Sequence, residues 1–444
     1  MKKPQLSNLH RGCALIALLL LPPPTAVRAA DTDGAAPDSL WAHIRQVADL
    51  GGVRGLRATW DAGSGGGVLR LTGEKSQSPY AWATIAAPEQ GWNLARRESV
   101  RCEIANRGSN AVSVLLWVVA GGGWDAVPDA ATLAAGESRR FSCRLRETFP
   151  DGTPKIDPAQ VKQIQIMISG RLGAPAILEV RELAAAGSAP EWKRPAGRVD
   201  VPPVGDSAPA PGLRVRYRPA GDGNPDLYAV LHLPADWRPG AKFPVIAEFP
   251  GNIFYTSGCY STGLPDQCVI GHGIARGRGA ICLGLPFVDA QERRIAEGGW
   301  GDADATADYA VRMVEEICAK FGGDRANVVL TGFSRGAIAC GYIGLRNDRI
   351  AALWKGFHAC QHHDGDGWGG ATMEGAIERA SRFKGRAVFQ TDNPEGKFRP
   401  VMDAMKTEVT WAGSGLGAHA TAMFLDDRPS TQQLRQWFRD LTQR

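Results

Sequence analysis

The sequence predicts two folded parts in series. Residues 38–188 read as an all-β sandwich, and residues 212–444 as a mostly parallel sheet with helices on both faces. Three observations predict this. Short apolar or alternating runs recur through 38–188 between glycine-rich breaks, with no sustained helical period. A stretch at 189–211 is rich in proline and poor in large apolar residues, so it reads as an extended linker. Beyond 212, near-continuous apolar runs alternate with helical periodicity, as expected of strands buried on both faces.

The chain has 444 residues, 44% of them hydrophobic and 22% charged, in keeping with folded domains and long enough for two. Its first thirty residues read as a secretory signal peptide. Lys2, Lys3 and Arg11 form a basic leader, residues 13–21 are apolar, and Val27-Arg28-Ala29 offers small residues for cleavage after Ala29 or Ala30. The apolar run is too short to span a bilayer, and Cys13 precedes it, misplaced for lipidation. The mature protein is then expected to be exported, periplasmic or extracellular. Cleavage removes Lys2, Lys3, Arg11 and Arg28 and no acid, so the formal charge falls from +5 to +1. Such a near-neutral chain gives no sign of a nucleic-acid or membrane partner.

Eight cysteines remain after the leader, an even number that permits disulfides in an exported chain. Cys102 with Cys143 and Cys259 with Cys268 are the expected pairs. Cys282 and Cys318 fall in core elements and read as buried thiols.

In the first part, strands are expected at 67–72, 80–86, 99–104, 112–119, 139–145, 161–169 and 176–183. In the second, 213–217 and 227–233 alternate like an antiparallel pair at a sheet edge, and 243–249 and 279–285 are buried strands. Residues 305–321 carry apolar positions at helical spacing. Strands follow at 327–331, 353–359, 387–390 and 409–411, and a helix at 431–441 closes the chain.

The most informative stretch is Gly332-Phe333-Ser334-Arg335-Gly336, which follows an apolar strand and precedes a helix. Strand, sharp turn and helix around a G-x-S-x-G pattern resemble the nucleophile elbow of α/β-hydrolases. That resemblance implies Ser334 as nucleophile, followed in chain order by an acid and a histidine. His358, His362 and His363 follow the elbow too soon. His419, in a glycine-rich loop after the last strand, stands where the family keeps its base. Asp392 follows the strand 387–391 and is the first choice for the acid, with Asp364, Asp366 and Glu395 as rivals. The oxyanion donors implied are the backbone N–H of Arg335 and that of Asn252 or Ile253, after the strand 243–249.

Arg335 also resembles the Ser-Arg of glucuronoyl esterases, implying a carboxylate contact, although Phe333 replaces their cysteine. The bland reading pairs Arg335 with Asp302 or Asp304. Trp300 and Trp368 are candidate sugar-stacking rings. The His362-His363-Asp364-Gly365-Asp366 run invites a metal reading, but adjacent histidines face opposite ways and no second ligand cluster accompanies them. The chemistry calls for no cofactor.

The order of elements in 38–188 is similar to jelly-roll modules of the carbohydrate-binding type. An asparagine-rich turn (Asn106 to Asn110), a Leu-x-x-Gly-Glu turn (Leu133 to Glu137) and a last hairpin joining 164–168 to 177–180 carry that likeness. The whole predicts a secreted serine hydrolase of ester bonds, acting on a small-molecule or polysaccharide ester. A prolyl-oligopeptidase-like peptidase and a non-catalytic polysaccharide-binding protein are the alternatives. No 40–50-residue repeat marks a propeller before the second part, and an ordered Ser, Asp and His speaks against a retired site.

Overall fold

Two stacked antiparallel sheets form the first part. The computed structural model describes residues 38–63, 67–75, 79–121, 124–219 and 224–443; the apolar leader lies outside them. The described residues belong to one compact unit. One sheet orders its strands Arg57–Asp61, Val68–Gly73, Ala176–Ser188, Arg97–Asn106 and Ser138–Arg144, with Asp38–Ser39 paired to Ala176–Ser188. The other runs Gly52–Arg54, Tyr80–Ala86, Val161–Ser169, Val112–Ala120 and Ala126–Leu133. Between them lies a closed apolar core that includes Leu69, Val100, Val114, Leu116, Ile164, Ile166, Leu178 and Val180.

The expected hairpin of 164–168 with 177–180 does not form. Val161–Ser169 pairs with Tyr80–Ala86 and Val112–Ala120, whereas Ala176–Ser188 pairs with Val68–Gly73 and Arg97–Asn106 in the other sheet. Each strand carries an apolar row, and the two rows meet across the core rather than edge to edge. The two recognised turns are tied together by the buried Asn106. Its amide donates to Asn110 O, Leu133 O and Ala134 O and accepts from the Gly108 N–H.

Strand Val112–Ala120 is covered on both faces. Val114, Leu116 and Val118 face the sandwich core. Leu115, Trp117 and Val119 face outward and are buried with Tyr255 and Tyr260 of a short hairpin, Phe254–Thr256 with Cys259–Ser261. Trp117 meets Tyr260 edge-on at 5.1 Å, and Tyr80 meets Tyr255 at 4.9 Å. The Arg54–Glu297 ion pair at 2.5 Å borders this face.

The linker is neither free nor featureless. Ala189 and Trp192 donate backbone bonds to Arg96 O and Ala95 O of the sandwich, Arg198 pairs with Asp125 at 2.8 Å, and Val199 N–H bonds to Leu425 O.

The second part is a nine-stranded sheet in the order Val204–Gly205, Arg214–Tyr217, Ala229–His232, Ile281–Gly284, Phe243–Phe249, Gly323–Phe333, Gly356–Cys360, Ala387–Thr391 and Val409–Ala412. Only Ala229–His232 runs antiparallel to its neighbours. The longest helix, Ala303–Phe321, starts where the Asp302 carboxylate accepts the N–H groups of Asp304 and Ala305, and ends at Gly322 in the left-handed region. No helix among the described residues is long and apolar enough to cross a membrane.

The expected disulfides are corrected: all eight cysteines of the described residues are free. Cys102 lies opposite Phe141 and Cys143 opposite Val100, so the two thiols are diagonal neighbours, farther apart than a directly opposed pair. Cys143 Sγ donates to Leu116 O instead. Cys259 is buried among Trp124 and Phe149, while Cys268 Sγ points to Glu248 O.

Replacing Trp117 by alanine removes the largest side chain of the doubly buried strand. Trp117→Ala is expected to lower the unfolding free energy by about 3–5 kcal/mol in urea titration; a loss below about 1 kcal/mol contradicts a packed outer face.

Candidate active site

The strand Gly323–Phe333 lies between Phe243–Phe249 and Gly356–Cys360, and the chain reverses at its end into the helix Arg335–Tyr342. Ser334 holds the reversal with φ 54° and ψ −119°, a strained conformation for a residue with a side chain. Its neighbours must be glycine because of contact, not φ. A Cβ on Gly332 would lie 2.2 Å from the Gly336 backbone, and one on Gly336 would lie 2.0 Å from Phe249 O.

His419 reaches the serine: its Nε2 lies 3.0 Å from Ser334 Oγ. The loop that carries it follows the last strand, and Phe333 packs on the imidazole with ring centroids 4.5 Å apart. Burial, and then the nearby His362, lowers the His419 pKa from 6.5 to about 4, so the ring is neutral at ordinary pH and free to accept a proton.

Asp392 stands at the end of Ala387–Thr391, as expected, but does not bond the imidazole. Its carboxylate accepts the Ser414 N–H at 2.6 Å, the Ser414 hydroxyl at 2.6 Å and the Gln361 amide at 3.2 Å. No hydrogen bond or ion pair joins an acid to His419 among the described residues. Gln361 also donates to Ala418 O at 2.9 Å, so Asp392 and Gln361 brace the loop on which His419 sits. Both residues have positive φ, 56° and 62°. The rival acids are engaged elsewhere: Asp364 with Arg379 at 2.8 Å, Asp366 with His362 Nδ1 at 2.6 Å, and Glu395 with Arg399. His362 in turn sets its ring edge-on to His419 at 5.5 Å. In the suspected metal run, His362, Asp364 and Asp366 thus have partners within the fold and His363 Nδ1 lies on Asp364 O, while His363 Nε2 is buried without a partner.

Of the two candidates for the second backbone donor, Ile253 is excluded, since its N–H bonds to Glu297 O at 2.8 Å. The Asn252 N–H remains. The Arg335 side chain departs from both earlier readings. It is 2% exposed and faces neither a carboxylate nor the solvent. Nη1 donates to Ala296 O and Gly299 O, Nη2 to Gly251 O and Gly263 O, and the guanidinium lies 3.9 Å over the Phe287 ring. Asp302 caps a helix and Asp304 pairs with Arg346. Trp300 serves packing: it stacks on Tyr342 at 4.5 Å and its indole N–H bonds to Gly369 O. Trp368 meets Trp300 edge-on and is 38% exposed.

Sequence reasoning missed the contribution of the sandwich. A narrow gap of about 20 Å³, room for little more than one water, is lined on one side by Trp117, Trp124 and Phe149 of the first part and on the other by Cys259, Tyr260 and His419. Trp124 also meets Phe333 edge-on at 5.0 Å. A tryptophan directly after the triple glycine 121–123 was the available signal. Gln361 and Ser414 carried none.

No family model matches the chain, and neither does any curated protein. Esterases and sugar hydrolases stand among the similar solved structures. An exo-β-agarase matches at 13% identity over 36% of this chain and 26% of its own, with a TM-score of 0.29. The AtxE2 isopeptidase with astexin3-dC4 bound matches at 13% over 85% and 53%, at 0.38. An acetyl ester-xyloside bifunctional hydrolase from Caldicellulosiruptor lactoaceticus matches at 15% over 52% and 97%, at 0.35. This chain thus spans about a quarter of the agarase and half of the isopeptidase. All these scores lie below 0.5, a likeness too slight to carry fold or activity across.

A hydroxyl, a neutral imidazole in hydrogen-bond reach and nearby free amides can perform acyl transfer. Two outcomes are expected with an activated ester. Activity needs neutral His419, so kcat/KM falls with decreasing pH, with an acid midpoint below 6.5 and toward the lowered value of about 4; a midpoint at or above 6.5 contradicts the burial effect. Asp392→Asn lowers kcat about tenfold or less, against the ~10⁴-fold loss typical where the acid bonds the imidazole.

Proposed function

We propose that this chain is an exported serine hydrolase of carboxylic esters, with an α/β-hydrolase catalytic domain over 212–444 and a jelly-roll sandwich over 38–188. The observation that carries the reading is the 3.0 Å approach of His419 Nε2 to Ser334 Oγ at a strand–turn–helix elbow. The Ser334 hydroxyl passes its proton to His419 as the oxygen attacks the ester carbonyl. The carbonyl oxygen becomes an oxyanion, bonded by the N–H groups of Arg335 and Asn252. Collapse expels the alcohol, which takes the proton from His419 and leaves an acyl-Ser334. Water then gives a proton to His419 and attacks the acyl carbon, and collapse releases the acid as His419 returns that proton to Ser334 Oγ.

Esters on carbohydrate are the favoured substrates, supported by the asparagine-rich and Leu-x-x-Gly-Glu turns that resemble those of sugar-binding modules. The packing of Trp124 against Phe333 and beside His419 supports a role for the sandwich in bounding the site. The basic and apolar leader, read from sequence, supports export to the periplasm or the extracellular space.

The test is hydrolysis of p-nitrophenyl acetate and of acetylated xylan by the parent and by Ser334→Ala and His419→Ala. Both variants are expected to lose at least about 10³-fold in kcat; equal rates for Ser334→Ala and the parent remove the serine mechanism. Trp124→Ala widens the narrow gap beside His419 and is expected to raise the butyrate-to-acetate ratio of kcat/KM about tenfold, on the scale of one or two methylenes in a pocket. An unchanged ratio moves the acyl group to the other side of Ser334.

A further inference from the structure

We propose that Arg335 is the positioning residue of the oxyanion site: its backbone N–H is one donor, and its guanidinium aims and strengthens the other. The proposal rests on the serine-hydrolase reading above. Its basis is the identity of one bond. Arg335 Nη2 donates to Gly251 O at 2.8 Å. The carbonyl of Gly251 and the N–H of Asn252 belong to the same peptide group, planar and pointing opposite ways. Fixing the carbonyl therefore fixes the direction of the N–H. A charged donor on that oxygen also draws electron density from the amide and makes its N–H a better donor, since hydrogen bonds in a chain polarise one another.

The surroundings favour this role over simple packing. The guanidinium is buried with no carboxylate in contact among the described residues, and an uncompensated buried cation is costly compared with an apolar side chain of similar size. Four carbonyls converge on it instead: Gly251 O, Gly263 O, Ala296 O and Gly299 O, at 2.8 to 3.0 Å. The face of Phe287 closes one side. Two of these carbonyls belong to residues 296–299, and that same segment holds the Asn252 loop from behind. Glu297 O accepts the Ile253 N–H, and the Gly299 N–H donates to Asn252 Oδ1 at 2.9 Å. The Asn252 amide also donates to Ile253 O at 3.0 Å, so its side chain is held at both ends while its backbone N–H bonds to no backbone partner among the described residues. A planar fork suits carbonyls approaching from several directions in a way that a lysine ammonium does not. At 2% exposure the guanidinium has no access to a substrate carboxylate, so its effect on the reaction runs through the peptide it holds.

The test uses Arg335→Lys and Arg335→Met in the full chain, with Ser334→Ala beside them. Each is assayed on p-nitrophenyl acetate and on the thiono analogue, whose carbonyl sulfur accepts hydrogen bonds poorly. Loss of one oxyanion donor costs about 10²–10³-fold in kcat, and that loss is expected for Arg335→Met with KM changed less than about threefold; a smaller loss is expected for Arg335→Lys. The rate ratio of oxo to thiono ester is expected to shrink in both, because only the oxo ester profits from the aimed N–H. An unchanged kcat and an unchanged ratio in a folded variant overturn the proposal. If Arg335→Met fails to fold, as judged by circular dichroism, Arg335→Lys decides the matter by the same ratio. A Ser334→Ala enzyme as active as the parent sinks the serine reading itself, whereas an inactive Ser334→Ala with unaltered Arg335 variants sinks the positioning role alone.

Discussion

Backbone crowding at the end of the strand Gly323–Phe333 is the constraint on which the rest of the site depends. The turn back into the helix Arg335–Tyr342 is so close that neither Gly332 nor Gly336 has room for a Cβ, and Gly336 lies directly against Phe249 O. That contact brings the segment after Phe249 beside the elbow. Gly251 then lies within reach of the guanidinium of Arg335, the residue after Ser334, and its space is bounded by Phe333, Ser261 and Trp124. The strained φ and ψ of Ser334 follow from the same geometry and leave its hydroxyl where His419 meets it. Strain at one residue is held by the sheet on both sides.

Polar groups within the sheet add rigidity around this point. His358 sits on the strand next to the elbow and is fully buried. Its Nδ1 meets Thr331 Oγ1 at 2.8 Å and its Nε2 meets Thr391 Oγ1 at 2.9 Å, bridging three adjacent strands. Burial lowers its pKa to about 3, which keeps the ring neutral between two hydroxyls. The loop of His419 is braced from the next strand by Asp392 through Ser414, and from the strand of His358 by Gln361.

Much of this was legible in the sequence, for reasons that differ from residue to residue. Ser334 stood out because a tight elbow demands small neighbours, and small neighbours leave a written pattern. His419 stood out by chain order and by its glycine-rich loop. The buried strands were legible from their continuous apolarity. Asp392 was half legible: its place after a strand is a matter of order, but its partner is chosen by a loop some twenty residues on and by a left-handed backbone that no glycine announces. The partners of Arg335 were not legible at all, because backbone carbonyls carry no residue identity. The short strands Gly52–Arg54 and Arg57–Asp61 escaped because few apolar residues mark them, and Ala126–Leu133 escaped because Pro128 and Asp129 interrupt it. Cysteine parity suggested disulfides that the pairing register does not supply.

The strand Val112–Ala120 shows the opposite case, a signal present and under-read. Its run of Val114 to Val119 without a polar residue is longer than a sandwich with one wet face requires. The surplus apolarity is accounted for by the hairpin seated on Leu115, Trp117 and Val119. One strand therefore belongs to two cores at once. The boundary that a sequence reader draws at the proline-rich linker is a boundary of chain, not of cooperativity. Opening either core strips apolar cover from the other, which couples the unfolding of the two halves. The segment just ahead of the docked hairpin bears the Asn252 amide, and it loses its support in the same event. For this molecule, integrity of the sandwich and support of the segment beside Ser334 are linked.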